Sequence, residues 1–110
     1  MTPEEHLARE AQPDDVVRLT REEDCFALFY LCPACDGSHA VSVFGTKNHC
    51  GASWDWNGDY QHPTISPSIK ATAPGGYCCH HFVRDGRMEV CGDSSKNAGR
   101  TLPMAPLSDG

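Results

Sequence analysis

Three features of the sequence predict a mainly β fold, a small antiparallel sheet domain built from hairpins with one short N-terminal helix. Short runs such as residues 63–70 and 39–44 alternate polar and apolar side chains, which places them on opposite faces of a strand. Two dipeptides, Asn57-Gly58 and Asp85-Gly86, are hairpin signals, because both central positions of such turns take positive φ. Cys32-Pro33-Ala34-Cys35 falls between two apolar runs, where a tight turn lets two thiolates converge on one ion, so a zinc knuckle joins the predicted fold.

In chain order, Thr2-Pro3-Glu4-Glu5 predicts a helix start, with Thr2 as N-cap, Pro3 in the first turn and Glu5 closing a capping box. The helix belongs to residues 1–13, since Pro13 and the Asp14-Asp15 pair break it, and at that length it must dock or fray. Residues 16–20 form a short strand and residues 21–24 a charged turn. Residues 25–31, apolar and aromatic, form a buried strand, and residues 39–44 alternate as the next. Residues 45–53 read as an irregular loop carrying His49 and Cys50. Trp54-Asp55-Trp56 and Asp59-Tyr60-Gln61 flank the Asn57-Gly58 turn as a hairpin. The strands at 63–70 and 77–84 are then joined by a loop over residues 71–76. Residues 94–99 are a loop and residues 100–110 a poorly ordered tail, so one domain spans 1–110 with its core at about 16–92.

Composition narrows the function classes. A chain of 110 residues holds one modest core. Fifteen acidic against nine basic residues give a net charge of -6, and phosphate surfaces need clustered Lys and Arg, which argues against nucleic acid and anionic membranes. There is no 18-residue apolar run and no opening signal segment, so a soluble cytoplasmic protein is expected. Seven cysteines, an odd number, favour metal ligation in a reducing compartment over a closed disulfide framework.

Cys32 and Cys35 supply half a structural zinc site. Parity sends Cys78 and Cys79 to opposite faces, so at most one of them joins it. Cys79 is the expected third ligand and His39 the fourth, with Cys50, Cys78 and Cys91 as alternatives. A redox pair lacks the βαβ context it needs, and no HExxH pattern marks a catalytic zinc.

A second constellation lies on the other face. Thr64, Ser66 and Ser68 alternate with Ile65, Pro67 and Ile69. If Lys70 and Cys78 close the loop, Ser68 stands opposite His80. The Asp85-Gly86 turn pairs Arg84 with Arg87 and hence His80 with Cys91, which leaves Asp93 diagonal to His80. A serine hydroxyl is a weak nucleophile until a base takes its proton and a third group fixes the imidazole tautomer. Ser68, His80 and Asp93 are candidates for those roles, with Ser66 as rival nucleophile and Glu89 or Asp59 as rival acids. Against this stands an ordinary solvated Ser/Thr face on a non-catalytic, zinc-stabilised protein-binding module. Trp54 and Trp56 offer either a substrate platform or a core rim. Cys25 and Cys91 lack the electropositive setting of catalytic thiols.

Trp56, the run Pro63-Thr64-Ile65-Ser66-Pro67-Ser68-Ile69 and the run Cys79-His80-His81-Phe82-Val83-Arg84-Asp85-Gly86 resemble a family of small phage and bacterial proteins with PTLSPSI and CH-x-F motifs and an upstream Cys-Pro-x-Cys. A related branch holds the BubE proteins of bacterial ubiquitin-like conjugation operons. The resemblance covers about residues 29–92. It implies a serine peptidase, deubiquitinase-like, that processes a ubiquitin-like protein, with Ser68 and His80 at the family's Ser and His and Cys32, Cys35 and Cys79 at its zinc ligands. Phage relatives carry Asp-Ser-x-His after the last strand; here the run is Asp93-Ser94-Ser95-Lys96, so Lys96 stands where they have histidine. The alternative function is a phage accessory protein that docks on a host protein without catalysis.

Overall fold

The computed structural model describes residues 1–107. The elements run α1 (Pro3–Ala8), β1 (Val17–Glu22), β2 (Cys25–Leu31), β3 (Ser38–Val43), β4 (Asp55–Trp56), β5 (Ile65–Ala73), β6 (Tyr77–Arg84), β7 (Arg87–Val90) and β8 (Thr101–Pro103). Strands β1-β2-β3 form one antiparallel sheet and β4-β5-β6-β7-β8 a second. The predicted fold class, mainly β with one short N-terminal helix, is the one observed. Both sheets are meanders, the topology that short hairpin connections allow.

The core lies between the sheets. Val17, Leu28, Tyr30, Val41 and Val43 from the first pack in one cluster with Ile65, Val83, Met88 and Val90 from the second. Along β6, Cys79, His81 and Val83 are buried while Cys78, His80 and Phe82 are half-buried. That strict period of two divides the strand into a core face and an outward face, and each face carries one of the chemical clusters described below.

Helix α1 begins as expected: the Thr2 side chain accepts from the Glu5 N–H, and the Glu5 carboxylate accepts from the Thr2 N–H. Six residues cannot hold a helix alone, so it docks. His6 is buried, with Nδ1 3.1 Å from the Tyr60 hydroxyl and its ring 5.0 Å from Trp56. After the helix, Asp15 is 1% exposed. Its carboxylate accepts from both Arg9 guanidinium nitrogens, at 2.7 and 3.1 Å, and from the Gln12 N–H at 2.7 Å. Burial by itself would raise the Asp15 pKa, but the Arg9 and Gln12 hydrogen bonds outweigh it and hold the carboxyl below its ordinary value. Asp15→Asn is therefore expected to cost about 2–3 kcal/mol at neutral pH. A depressed folded pKa gives stability that is present above the unfolded pKa and lost as pH falls through the folded one. Urea denaturation of both proteins should show the gap shrinking below about pH 4; a constant gap would assign the loss to packing alone.

Four local expectations need correction. The loop over 71–76 is shorter, because β5 runs on to Ala73 and only residues 74–76 turn, with Gly75 and Gly76 at φ 92° and 86°. As a result Lys70, not Ser68, pairs with His80, and Thr72, not Lys70, pairs with Cys78. Asn57-Gly58 does not close a two-residue hairpin. β4 pairs with β5 instead, and the Asn57 side chain stitches the longer loop by accepting from the Asp59 and Thr64 N–H groups. The predicted tail carries β8, which pairs with β7; Met104 beyond it is buried, and the Leu107 N–H donates to Asp15. Residues 108–110 of that tail lie outside the described residues.

The Asp85-Gly86 turn forms as predicted and fixes Arg84 opposite Arg87. Both residues have positive φ, and a Cβ on Gly86 would come 3.0 Å from the Gln61 carbonyl oxygen, so only glycine fits.

Candidate active site and metal centre

The outward face of β6 brings the predicted polar residues together. Between Ile65 and Ile69 strand β5 bulges, carrying Ser66, Pro67 and Ser68 against the single residue Phe82 of β6. Proline gives no N–H to a ladder, so this is where pairing breaks most cheaply, and a bulge re-aims the side chains that follow it. Ser68 Oγ lies 3.1 Å from His80 Nε2, and the opposite ring nitrogen, Nδ1, lies 2.8 Å from Asp93 Oδ1. Of the two candidate serines, Ser68 makes this bond, while Ser66 stands exposed opposite Asp55 of β4. The rival acids are engaged elsewhere: Glu89 binds Arg84, and Asp59 accepts from the Gln61 and His62 N–H groups.

The His80 hydrogen bond holds the Asp93 carboxyl below its ordinary pKa, and Lys70 Nζ at 3.6 Å acts in the same direction. Asp93 is therefore a carboxylate at neutral pH and accepts a proton-bearing Nδ1. The remaining lone pair of His80, on Nε2, then faces Ser68. Burial raises the Cys91 thiol above its ordinary pKa, and the Asp93 carboxylate adds to this, so Cys91 stays protonated beside the imidazole.

Two supports of this face were not legible in the sequence. Ser94 Oγ accepts from the His80 N–H at 2.7 Å and donates to the His80 carbonyl at 2.9 Å, clamping that residue's backbone. The Trp54 indole N–H donates to the Ser68 carbonyl at 3.2 Å. Ser94 sat in a predicted loop, and its only sequence signal was its place next to Asp93. Trp56 packs among His6, Phe44 and Tyr60 at the core rim.

On the core face, the ligand atoms of Cys32, Cys35, His39 and Cys79 lie within 4.8 Å of one another. Cys32 and Cys35 come from the turn between β2 and β3, His39 from β3, and Cys79 from β6, so the cluster bridges the two sheets. Cys32 Sγ and Cys79 Sγ are 3.6 Å apart, and Cys35 Sγ is 3.4 Å from His39 Nε2. A tetrahedral ion with metal–sulfur bonds of about 2.3 Å needs sulfurs about 3.8 Å apart. The spacing thus suits a shared ion and far exceeds a disulfide bond of about 2.05 Å; all seven cysteines are free of disulfides. Three thiols and one imidazole can hold a metal ion and are compatible with zinc. Burial lowers the His39 pKa and keeps its ring neutral, the form a metal ligand requires. Cys50 is exposed, and Cys50, Cys78 and Cys91 stand outside this cluster.

Sequence reasoning passed over His81 and Tyr30, which back the cluster. His81 is fully buried, its Nδ1 3.4 Å from Cys79 Sγ and its Nε2 2.7 Å from the Tyr30 hydroxyl. Burial, together with the His39 and His80 rings, pushes the His81 pKa down to about 4. Burial also pushes the Tyr30 hydroxyl up, so it remains a donor. With Tyr30 donating to Nε2, the Nδ1–H of His81 points at the sulfur, the kind of outer contact that orients a metal ligand. The signal was present: His81 shares the parity of Cys79.

Among the described residues, no helix is long and apolar enough to cross a membrane. A sequence model of the family described as "Bacterial ubiquitination-like system serine protease (BubE)" matches residues 3–91. The chain matches no curated protein and no solved structure.

Proposed function

The chain belongs to the BubE family, the serine proteases of bacterial ubiquitination-like systems, and we propose that it hydrolyses the bond at the C-terminal end of a ubiquitin-like protein, with Ser68 as nucleophile, His80 as general base and Asp93 as the carboxylate that orients it. The observation that carries this reading is the unbroken line from Ser68 Oγ through His80 to Asp93, at 3.1 and 2.8 Å.

Ser68 Oγ attacks the scissile carbonyl carbon while its proton passes to His80 Nε2. Asp93 stabilises the imidazolium that forms and keeps the ring from turning over. His80 then returns the proton to the departing amine as the acyl–Ser68 ester forms. Water, deprotonated by the same nitrogen, opens the ester and restores the hydroxyl. Because Ser94 holds the His80 backbone and Trp54 holds the Ser68 carbonyl, both reacting side chains hang from fixed strands, which reduces the ordering needed in the transition state.

Cys32, Cys35, His39 and Cys79 would hold a structural zinc ion that ties the first sheet to β6. Four protein ligands leave no open position, so the ion supplies rigidity rather than a bound nucleophile. Seven free thiols suit the reducing cytoplasm of a bacterium or a phage-infected host.

Labelling with a fluorophosphonate serine probe tests this function. Wild type is expected to label and Ser68→Ala to lose labelling completely, with metal content and thermal midpoint unchanged. A folded, metal-loaded wild type that fails to label would instead make the chain a non-catalytic binding module.

A further inference from the structure

A second set of metal-binding side chains overlaps the candidate active site. The ligand atoms of His80, Cys91 and Asp93 lie within 4.8 Å of one another. The adjacent strands impose this closeness: the Cys91 N–H donates to the His80 carbonyl at 2.8 Å, and the chain then turns to bring Asp93 to His80 Nδ1. Imidazole, thiol and carboxylate are the three ligand types that zinc takes. Their setting differs from that of the four-residue cluster. The His80 and Asp93 side chains are 23% and 51% exposed, so three protein ligands would leave a fourth position open to water. Although Cys79 and His80 are neighbours in sequence, they face opposite sides of β6, so the two sets share no ligand.

We propose that His80, Cys91 and Asp93 form a second, exchangeable zinc site that switches the candidate active site off by occupying Nδ1 of His80. The switching rests on the function proposed above; the binding does not. Without the ion, Nδ1 carries the ring proton toward Asp93 and Nε2 offers its lone pair to Ser68. A metal on Nδ1 takes that nitrogen's lone pair, so the ring proton moves to Nε2. There it can donate to the Ser68 hydroxyl but cannot accept its proton. Binding also displaces the Cys91 thiol proton to solvent. Lys70, 3.6 Å from Asp93 and exposed, would have to swing away from the incoming cation. That cost, together with the open fourth position, makes this a weaker site than the buried cluster, as an exchangeable site requires.

The experiment starts from protein already loaded at the buried cluster and adds zinc chloride. Calorimetry is expected to register a further equivalent in wild type and in Cys50→Ala, in which the exposed thiol outside both sets is removed. Cys91→Ala should weaken that binding by about tenfold or more while keeping the labelling of wild type loaded only at the buried cluster. Asp93→Asn should weaken it likewise, and provides the binding arm of the test, though not the labelling arm, should Cys91→Ala fold poorly. Nitrogen-15 NMR of the His80 ring should show the proton shift from Nδ1 to Nε2 as the second equivalent binds, and fluorophosphonate labelling should fall in parallel. Absence of a further equivalent, or one that Cys91→Ala and Asp93→Asn bind as tightly as wild type, overturns the site. Binding with the His80 tautomer unchanged overturns the switch. If the Cys91-dependent equivalent and the tautomer shift occur in a protein that never labels, the zinc site stands and the hydrolase function falls.

Discussion

His80→Ala is expected to lower kcat/KM for release of a ubiquitin-like C-terminal extension by on the order of 10^5-fold, and Ser68→Ala by a similar factor. Without the imidazole the Ser68 hydroxyl keeps its proton at neutral pH and attacks slowly; without the hydroxyl the imidazole has nothing to activate. In the proposed reaction the two share one proton transfer, so the double variant should be no slower than either single one. Asp93→Asn should cost less, about a hundredfold to a thousandfold, because Asp93 is half exposed and water can partly replace it as a partner of Nδ1. Turnover of a fusion substrate across the four variants, with thermal midpoints measured alongside, checks this pattern. Independent, additive losses from Ser68 and His80 would contradict a shared proton transfer.

Removing the zinc ion proposed for the buried cluster should have the largest effect on stability. The set takes Cys32 and Cys35 from the β2–β3 turn, His39 from β3 of the first sheet and Cys79 from β6 of the second, and it sits beside core residues such as Tyr30 and Met88. Structural zinc contributes on the order of 10 kcal/mol in small domains, comparable to the whole stability of a chain this size. Burial raises the Cys32 and Cys79 thiols, so a metal-free core would hold neutral thiols with no ion to unite them. Excess chelator, or Cys79→Ser, should lower the thermal midpoint by about 20 °C or more or abolish the folded baseline. Cys50→Ser, at an exposed site outside the cluster, should leave the midpoint within a degree or two. A midpoint indifferent to chelation would remove the structural role of the ion.

Much of the outward face was legible because it follows from local rules. Asp85-Gly86 requires positive φ at both positions, and that alone aligns Arg84 with Arg87, His80 with Cys91, and Asp93 beside them. Parity alone sends Cys79 and Cys78 to opposite faces of β6. The observed β5–β6 register lies two residues from the one that closing the loop at Lys70 and Cys78 predicts, yet Ser68 still reaches His80, because an even slip keeps every side chain on its own face. The Asn57-Gly58 signal misled because the Asn57 and Asp59 side-chain oxygens, accepting from backbone N–H groups, stabilise a longer loop as well as a turn. By itself, then, the sequence determined strands β1, β2, β3, β5 and β6 to within a few residues, the capping box of α1, the faces of β6 and the residue types of both clusters, since periodicity and turn chemistry act over a few residues. Only the tertiary structure decided that Cys79 meets Cys32, Cys35 and His39, that His81 and Tyr30 back them, that Ser94 and Trp54 brace the catalytic candidates, and that β8 closes the second sheet. The first two sets of contacts join the two sheets across the core, and the others bring together segments separated by a loop; no local pattern records which face will find which partner.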